Sequence, residues 1–293
     1  MGSGPGPVIL CADDYGLAAG VSRGIIQLAE AGRISATSAL VTFPRWPEDA
    51  RRLADIRPKV AIGLHINLTL GQPLGPMPGL ASDGMLPSVD AVVRKSLLRR
   101  IEPEEIRAEV GRQLDRFERE TGFPPDHIDG HQHVHALPGV RLGVLAALAA
   151  RFGVDKPLIR DPSDRVAAIL QRGGERGKAL AIAALSRGFG TAARAGGFPV
   201  NRGFSGFSAF DASRPYTAEL TAALRIAGTG HIVMCHPGDP DEELRRLDPV
   251  VERRGQELAV LRDNPELRGR IWRPDRGPAG GSIDWEKALG HGF

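Results

Sequence analysis

The chain has 293 residues, 42% of them hydrophobic and 25% charged, with a formal net charge of +3. That is the composition of an ordinary globular protein long enough to bury a large core. The basic residues are scattered and lack interleaved aromatics, which argues against a nucleic-acid groove, and no apolar run approaches the roughly 20 residues that a membrane span needs.

Residues 1–7 are Gly/Pro-rich, without the charged and apolar regions of a secretory signal, and read as a flexible leader. A single catalytic domain is expected over residues 8–275, followed by a tail at 276–293. Cys11 and Cys235 are too few for a disulfide framework and suit a reducing cytoplasm. In chain order, a compact apolar run at residues 8–12 reads as a strand that ends abruptly in Asp13-Asp14-Tyr15-Gly16. A helix over residues 17–31 is closed by Gly32. A strand is expected at 37–43 and a helix at 47–56. Residues 60–69 alternate strictly, with Ile62, Leu64, Ile66 and Leu68 on one face and Gly63, His65, Asn67 and Thr69 on the other. A long Gly/Pro-rich loop at 72–87 suits a lid or substrate wall.

Further along, Ile106, Val110, Leu114 and Phe117 form one stripe of a helix over 103–121. A short strand at 127–129 leads into His131-Gln132-His133-Val134-His135, and a helix at 140–152 and a strand at 158–160 follow. Residues 161–213 yield only an Ala-rich helix at 178–186 and a Gly-rich stretch at 196–206. A helix at 216–226, a strand at 231–235 ending in His236-Pro237-Gly238, and a helix at 250–261 complete the series. Alternation of this kind indicates an α/β protein with a largely parallel sheet, open or closed as a (β/α) barrel. In either arrangement reactive side chains lie past the carboxyl ends of the strands.

Asp13-Asp14, His65, the histidine run and His236 all sit at such ends. Asp13 and Asp14 would equally serve to cap the next helix. As successive strand residues they point to opposite sides, so one suits a metal ligand and the other a proton acceptor. His65 alone would be an ordinary structural histidine, but it shares a polar face with Asn67. If residues 129–135 are extended, Asp129, His131, His133 and His135 line one side. Burying them together requires a partner, and a divalent metal is the natural one. Some of these histidines would then orient the ligands rather than bind. His236 suits a general acid for a departing amine, with a structural cap as the plainer alternative. Two histidines and a carboxylate accommodate zinc hydrolysis or iron-oxygen chemistry alike. No Gly-x-Ser-x-Gly motif supports acyl transfer through serine.

Taken together, Ala12-Asp13-Asp14-Tyr15-Gly16, residues 63–71 from Gly63-Leu64-His65 onward, Met77-Pro78-Gly79-Leu80 and the run from His127 to His135 resemble the YdjC-like carbohydrate deacetylases. That group includes chito-oligosaccharide and hopanoid-associated deacetylases. The likeness continues more weakly through Arg160 to Met234-Cys235-His236-Pro237. It implies a deformed (β/α) TIM-like barrel of the polysaccharide-deacetylase-related type, holding one divalent metal ion, Mg2+ or Zn2+. By position, Asp14, His65 and His131 would be ligands, Asp13 the base, His236 the acid and Arg160 the group that orients Asp13. Tyr15, Asn67, Asp129, His133 and His135 would touch substrate or support the ligands. Tyr15 stands where the family often has Phe, and residues 161–206 match no substrate-reading pattern. The implied activity is removal of the N-acetyl group from an acetamido sugar, a chito-oligosaccharide or an N-acetylglucosaminyl conjugate; the cysteine usage above sets the expected location as cytoplasmic. Homodimerisation is left open. The competing readings are a non-heme iron(II) oxygenase using the same ligands and a non-catalytic, metal-dependent sugar-binding protein.

Overall fold

A computed structural model of the protein describes residues 6–276 and 281–290, so the expected leader and tail fall partly outside the described residues. The first apolar run opens β1 (Ile9–Tyr15), followed by α1 (Ala19–Glu30). Just beyond this helix Gly32 adopts φ +66°, the left-handed conformation that commonly stops a helix. β2 (Ala36–Ala39) is shorter than its expected run, and α2 (Trp46–Ile56) and β3 (Ala61–Ile66) follow. α3 (Val89–Leu97) emerges after the Gly/Pro-rich loop, and α4 (Pro103–Thr121) matches its apolar stripe.

β4 (His127–Gly130) runs into a 3-10 turn at His131–Ala136 and then α5 (Val140–Arg151) and β5 (Leu158–Ile159). The stretch with little sequence signal contains α6 (Val166–Arg172), α7 (Arg176–Leu185), α8 (Phe189–Ala195) and β6 (Gly203–Ser205). The chain continues through α9 (Tyr216–Leu224), β7 (His231–Cys235), α10 (Glu242–Leu247), α11 (Glu252–Asp263) and α12 (Trp285–Ala288).

All strands are parallel, in the order β5-β4-β3-β2-β1-β7-β6. One isolated bridge, Ile159 to Val200, links β5 to the segment that feeds β6. There the Ile159 N–H donates to the Pro199 carbonyl at 2.8 Å. The sheet therefore curls into the expected deformed (β/α) barrel, weakly joined at that seam.

Period-two alternation divides the strands between two cores. Leu10, Ala12, Ile62, Leu64, Ile128 and Val233 face outward into the layer beneath the helices. Ile9, Cys11, Ala36, Ala61, Leu158, Phe204, Ile232 and Met234 face inward, where Ile283, Trp285 and Leu289 pack among them. The apolar face of β3 thus meets the helices, and the face carrying Gly63 and His65 looks into the barrel. Gly63 is needed there, because an added Cβ would sit 2.3 Å from the Nε2 of His127.

Trp285 is 5% exposed, donates its indole N–H to the Asp126 carbonyl at 2.8 Å and stacks on Trp272 at 5.3 Å. Replacing Trp285 by Ala opens a cavity beneath the inner core and is expected to cost about 3–5 kcal/mol, read as a lower midpoint in urea unfolding. An unchanged midpoint would show that this segment does not close the barrel.

Candidate active site

β1 does not end as a regular strand. Its pairing with β2 shifts between Ala12 and Tyr15, so one residue is extra, and Asp14 takes φ +71°. Bulges of this kind re-aim side chains, and Asp tolerates the left-handed region better than most residues. As a result Asp13 and Asp14 both line one cavity of about 340 Å³, together with His65, His131, His133 and His236. The expectation that the two acids point apart is corrected by the bulge, which restores them to one side.

Asp14 turns Oδ1 toward both histidines, 2.9 Å from His131 Nδ1 and 3.3 Å from His65 Nε2. Its Oδ2 accepts a hydrogen bond from Arg254 Nη2 at 2.6 Å. Burial alone would raise this carboxyl, but the His131 and Arg254 charges hold it well below the usual carboxylate range. His65 is oriented from behind, since its Nδ1 lies 2.6 Å from Asp129 Oδ1. Burial opposes a charge on His65, yet Asp129 and Asp14 together push it up to about 10.

The Ser38 hydroxyl donates to Asp129 Oδ2 at 2.6 Å, and Arg160 Nη2 approaches the same oxygen at 2.5 Å. Ser38 Oγ is then free to accept from His127 Nε2 at 3.0 Å, which assigns that ring its Nε2–H tautomer. Against the effect of burial, the Arg160 and His65 charges depress Asp129 far below its ordinary value. Arg160 also grips Asp13 with a two-pronged pair, Nη1 to Oδ2 at 2.6 Å and Nη2 to Oδ1 at 2.7 Å. The expected partnership of Arg160 with Asp13 is therefore present in the geometry.

The histidine run does not form an extended row. Gln132 and His133 adopt φ of +54° and +61°, and the chain coils into the 3-10 turn instead. This sends the three histidines to different neighbours: His131 to Asp14, His133 against the Phe204 and Phe207 rings, and His135 Nε2 to the Arg160 carbonyl at 2.8 Å. His236 faces the cavity with its ring edge-on to Phe210 at 5.1 Å, and its backbone N–H donates to Glu257 at 2.5 Å. Tyr15 and Asn67 do not reach the cavity. The Tyr15 hydroxyl is spent on the Asp49 carbonyl at 2.8 Å, and the Asn67 side chain knots the turn after β3, accepting from the Thr69 and Leu70 N–H groups.

Several contributors carried no obvious motif. Lys178 and Ile182 of α7, with Phe207, Ser208 and Phe210 of the loop after β6, wall the cavity. On α11, Arg253 holds that loop through the Arg214 carbonyl at 2.7 Å, Arg254 holds Asp14, and Glu257 holds the His236 backbone. A signal was present: Arg254, Leu258 and Leu261 share one helical stripe, so a charge occupies an apolar position.

Three clusters bring possible ligand atoms within 4.8 Å of one another among the described residues: Asp14/His65/His131, in which His131 is partly exposed, and the buried Cys11/His127/Asp129 and Asp13/His65/Asp129. Only the first lies wholly on the cavity wall. In the second, burial drives the Cys11 thiol well above its ordinary pKa, away from thiolate. In the third, the Arg160 guanidinium is already paired with both acids. Asp14, His65 and His131 fit a divalent ion: two imidazoles and one carboxylate oxygen, with room for further ligands.

Fold and site together define a (β/α)-barrel protein with paired acids and paired histidines at the carboxyl ends of its strands. Residues 7–270 match the family described as YdjC-like protein, and the chain belongs to that family, as its motifs suggested. A chitooligosaccharide deacetylase of Proteus mirabilis (strain HI4320) is 41% identical over 133 residues, 44% of this chain and 49% of the relative. One from Escherichia fergusonii is 36% identical over 162 residues, 54% of this chain and 62% of the relative. The matched stretches thus span about half to three-fifths of these relatives' length. The crystal structure of a candidate cellobiose-phosphate cleavage protein from Enterococcus faecalis V583 superposes with a TM-score of 0.67 at 23% identity, covering 97% of this chain and 99% of that one. That likeness bears on the fold. No helix among the described residues is long and apolar enough to cross a membrane.

Burial holds His135, His231 and His236 down to about 4, against the ordinary histidine value of 6.5. Between those values the unfolded chain binds more protons than the folded one, so these groups favour folding above 6.5 and their contribution is lost as pH falls toward 4. Urea midpoints of the metal-free chain should therefore fall steadily across that acid range. A flat profile would show that these imidazoles are not buried in their neutral form.

Proposed function

We propose that the chain hydrolyses the N-acetyl group of an acetamido sugar and releases acetate, with a divalent ion held by Asp14, His65 and His131. The observation that supports this most is the bulge that turns Asp13 and Asp14 into the same cavity, setting a proton acceptor beside a ligand set. When bound, magnesium or zinc lowers the pKa of water toward neutrality and polarises a carbonyl oxygen.

Asp13, gripped by Arg160, takes a proton from the attacking water as the water oxygen bonds to the acetyl carbon. His236 lines the same cavity and passes a proton to the amide nitrogen as the C–N bond breaks. Burial keeps that imidazole neutral in the resting site. It gains its proton after negative charge has built up on the substrate beside it, and the proton that Asp13 removed from water supplies it. Leu70, Val89, Phe207 and Phe210 give the cavity apolar walls suited to the acetyl methyl and a sugar face. Chito-oligosaccharides, named for the relatives, and N-acetylglucosaminyl conjugates are the substrate classes proposed. An oxygenase or a passive sugar-binding protein has no use for an acid clamped beside the ligand set.

Asp13→Asn is expected to lower kcat for acetate release by about 10²–10⁴-fold while metal binding persists. His236→Ala should lower turnover of an acetamido sugar by about 10²-fold, and turnover of p-nitrophenyl acetate far less, because that leaving group needs no proton. Equal losses on both substrates would remove His236 from the acid role. Unchanged acetate release by Asp13→Asn would refute the mechanism.

A further inference from the structure

Arg254 is the second buried guanidinium at this site, and it does a different task from Arg160. It projects from α11 with its side chain 3% exposed, across from Asp14 at 1%. Its Nη2 lies 2.6 Å from Asp14 Oδ2 and 2.5 Å from Asp248 Oδ2, and its Nε lies 3.2 Å from the same Asp248 oxygen. Asp248 and Arg254 both line the cavity that contains Asp14. A guanidinium at such depth is retained only where its charge is matched, and here two carboxylates match it.

The geometry divides the two oxygens of Asp14 cleanly. Oδ1 faces His131 and His65, and Oδ2 faces Arg254. We propose that Arg254, braced by Asp248, is a positioning residue that occupies Asp14 Oδ2 and so limits Asp14 to a one-oxygen ligand through Oδ1. This rests on the proposed metal reading of Asp14, His65 and His131. Without the clamp, Asp14 can turn both oxygens to the ion, filling a position that substrate or water needs. Drawing charge away from Oδ1 also keeps the ion more electron-poor, which favours polarising a carbonyl. The clamp therefore gives up some metal affinity in favour of reactivity.

The test is a comparison of the unmutated chain with Arg254→Met, Arg254→Lys and Asp248→Asn, each stripped of metal and titrated with Co2+ or Zn2+ by calorimetry. Arg254→Met is expected to take up one ion at least as tightly as the unmutated chain. Its Co2+ absorption should weaken toward that of a higher coordination number, and kcat should fall by about 10–100-fold with little change in KM. Arg254→Lys should recover part of the rate, and Asp248→Asn should shift the spectrum in the same direction by less. Should Arg254→Met not fold, as judged by its thermal melt, Asp248→Asn decides by the same criteria. Parallel loss of ion affinity and kcat, or an unshifted spectrum with unchanged kcat, would overturn the assignment while leaving the metal reading intact. An unmutated chain that takes up no ion would overturn both.

Discussion

The arrangement depends on one guanidinium. Asp13 and Asp129 lie side by side inside the barrel, both essentially without solvent contact. Two uncompensated carboxylates at that depth would be untenable. Arg160, also fully buried, sits between them, with Asp13 on two prongs and Asp129 on one. Once Asp129 is fixed as a carboxylate it sets the ring of His65, and once His65 is set, its Nε2 faces Asp14. Removing Arg160 would strand both acids and is worth several kcal/mol, on the order of 3–5 for a broken buried pair.

The barrel makes room for this network by keeping its inner lining small. Cys11, Ala36, Ser38, Ala61 and Gly63 supply inward positions on β1, β2 and β3, and the imidazole of His127 lies against Gly63. The same economy explains why chemistry gathers at one end. Inward residues progress from apolar to polar along β1, as Ile9, Cys11 and Asp13, along β3, as Ala61, Gly63 and His65, and from Leu158 to Arg160 at β5. Ile283, Trp285 and Leu289 pack with the apolar members of this lining. Functional groups therefore collect at the carboxyl ends, where the loops leave a cavity.

Much of this was legible in the sequence because period-two alternation is a property of the backbone. The alternating run through β3 separated a helix-facing side from a barrel-facing side, and His65 fell on the correct one. Features that break periodicity were not legible. The bulge at Asp14 adds a residue to β1, and the left-handed pair Gln132–His133 coils what alternation would have left extended. β6 is three residues long within a Gly-rich stretch, too short to register as a pattern. Gly206 just after it, at φ +103°, lies so close to the Met234 carbonyl that a Cβ would fall 2.1 Å away. On α11 only Arg254 breaks an apolar stripe, while Arg253 and Glu257 look like an ordinary solvated face until the helix is seen to be buried on that side.

The most direct test of the account is to measure acetate and free amine together, using metal-replete chain and a panel of N-acetylated chito-oligosaccharides and N-acetylglucosaminyl conjugates. The expected result is equal amounts of the two products from at least one member, abolished by chelation and restored by adding a divalent ion back. Release of neither product from any member of the panel, or release indifferent to the chelator, would contradict the assignment of Asp13, Asp14, His65 and His131 as a metal-assisted hydrolytic site.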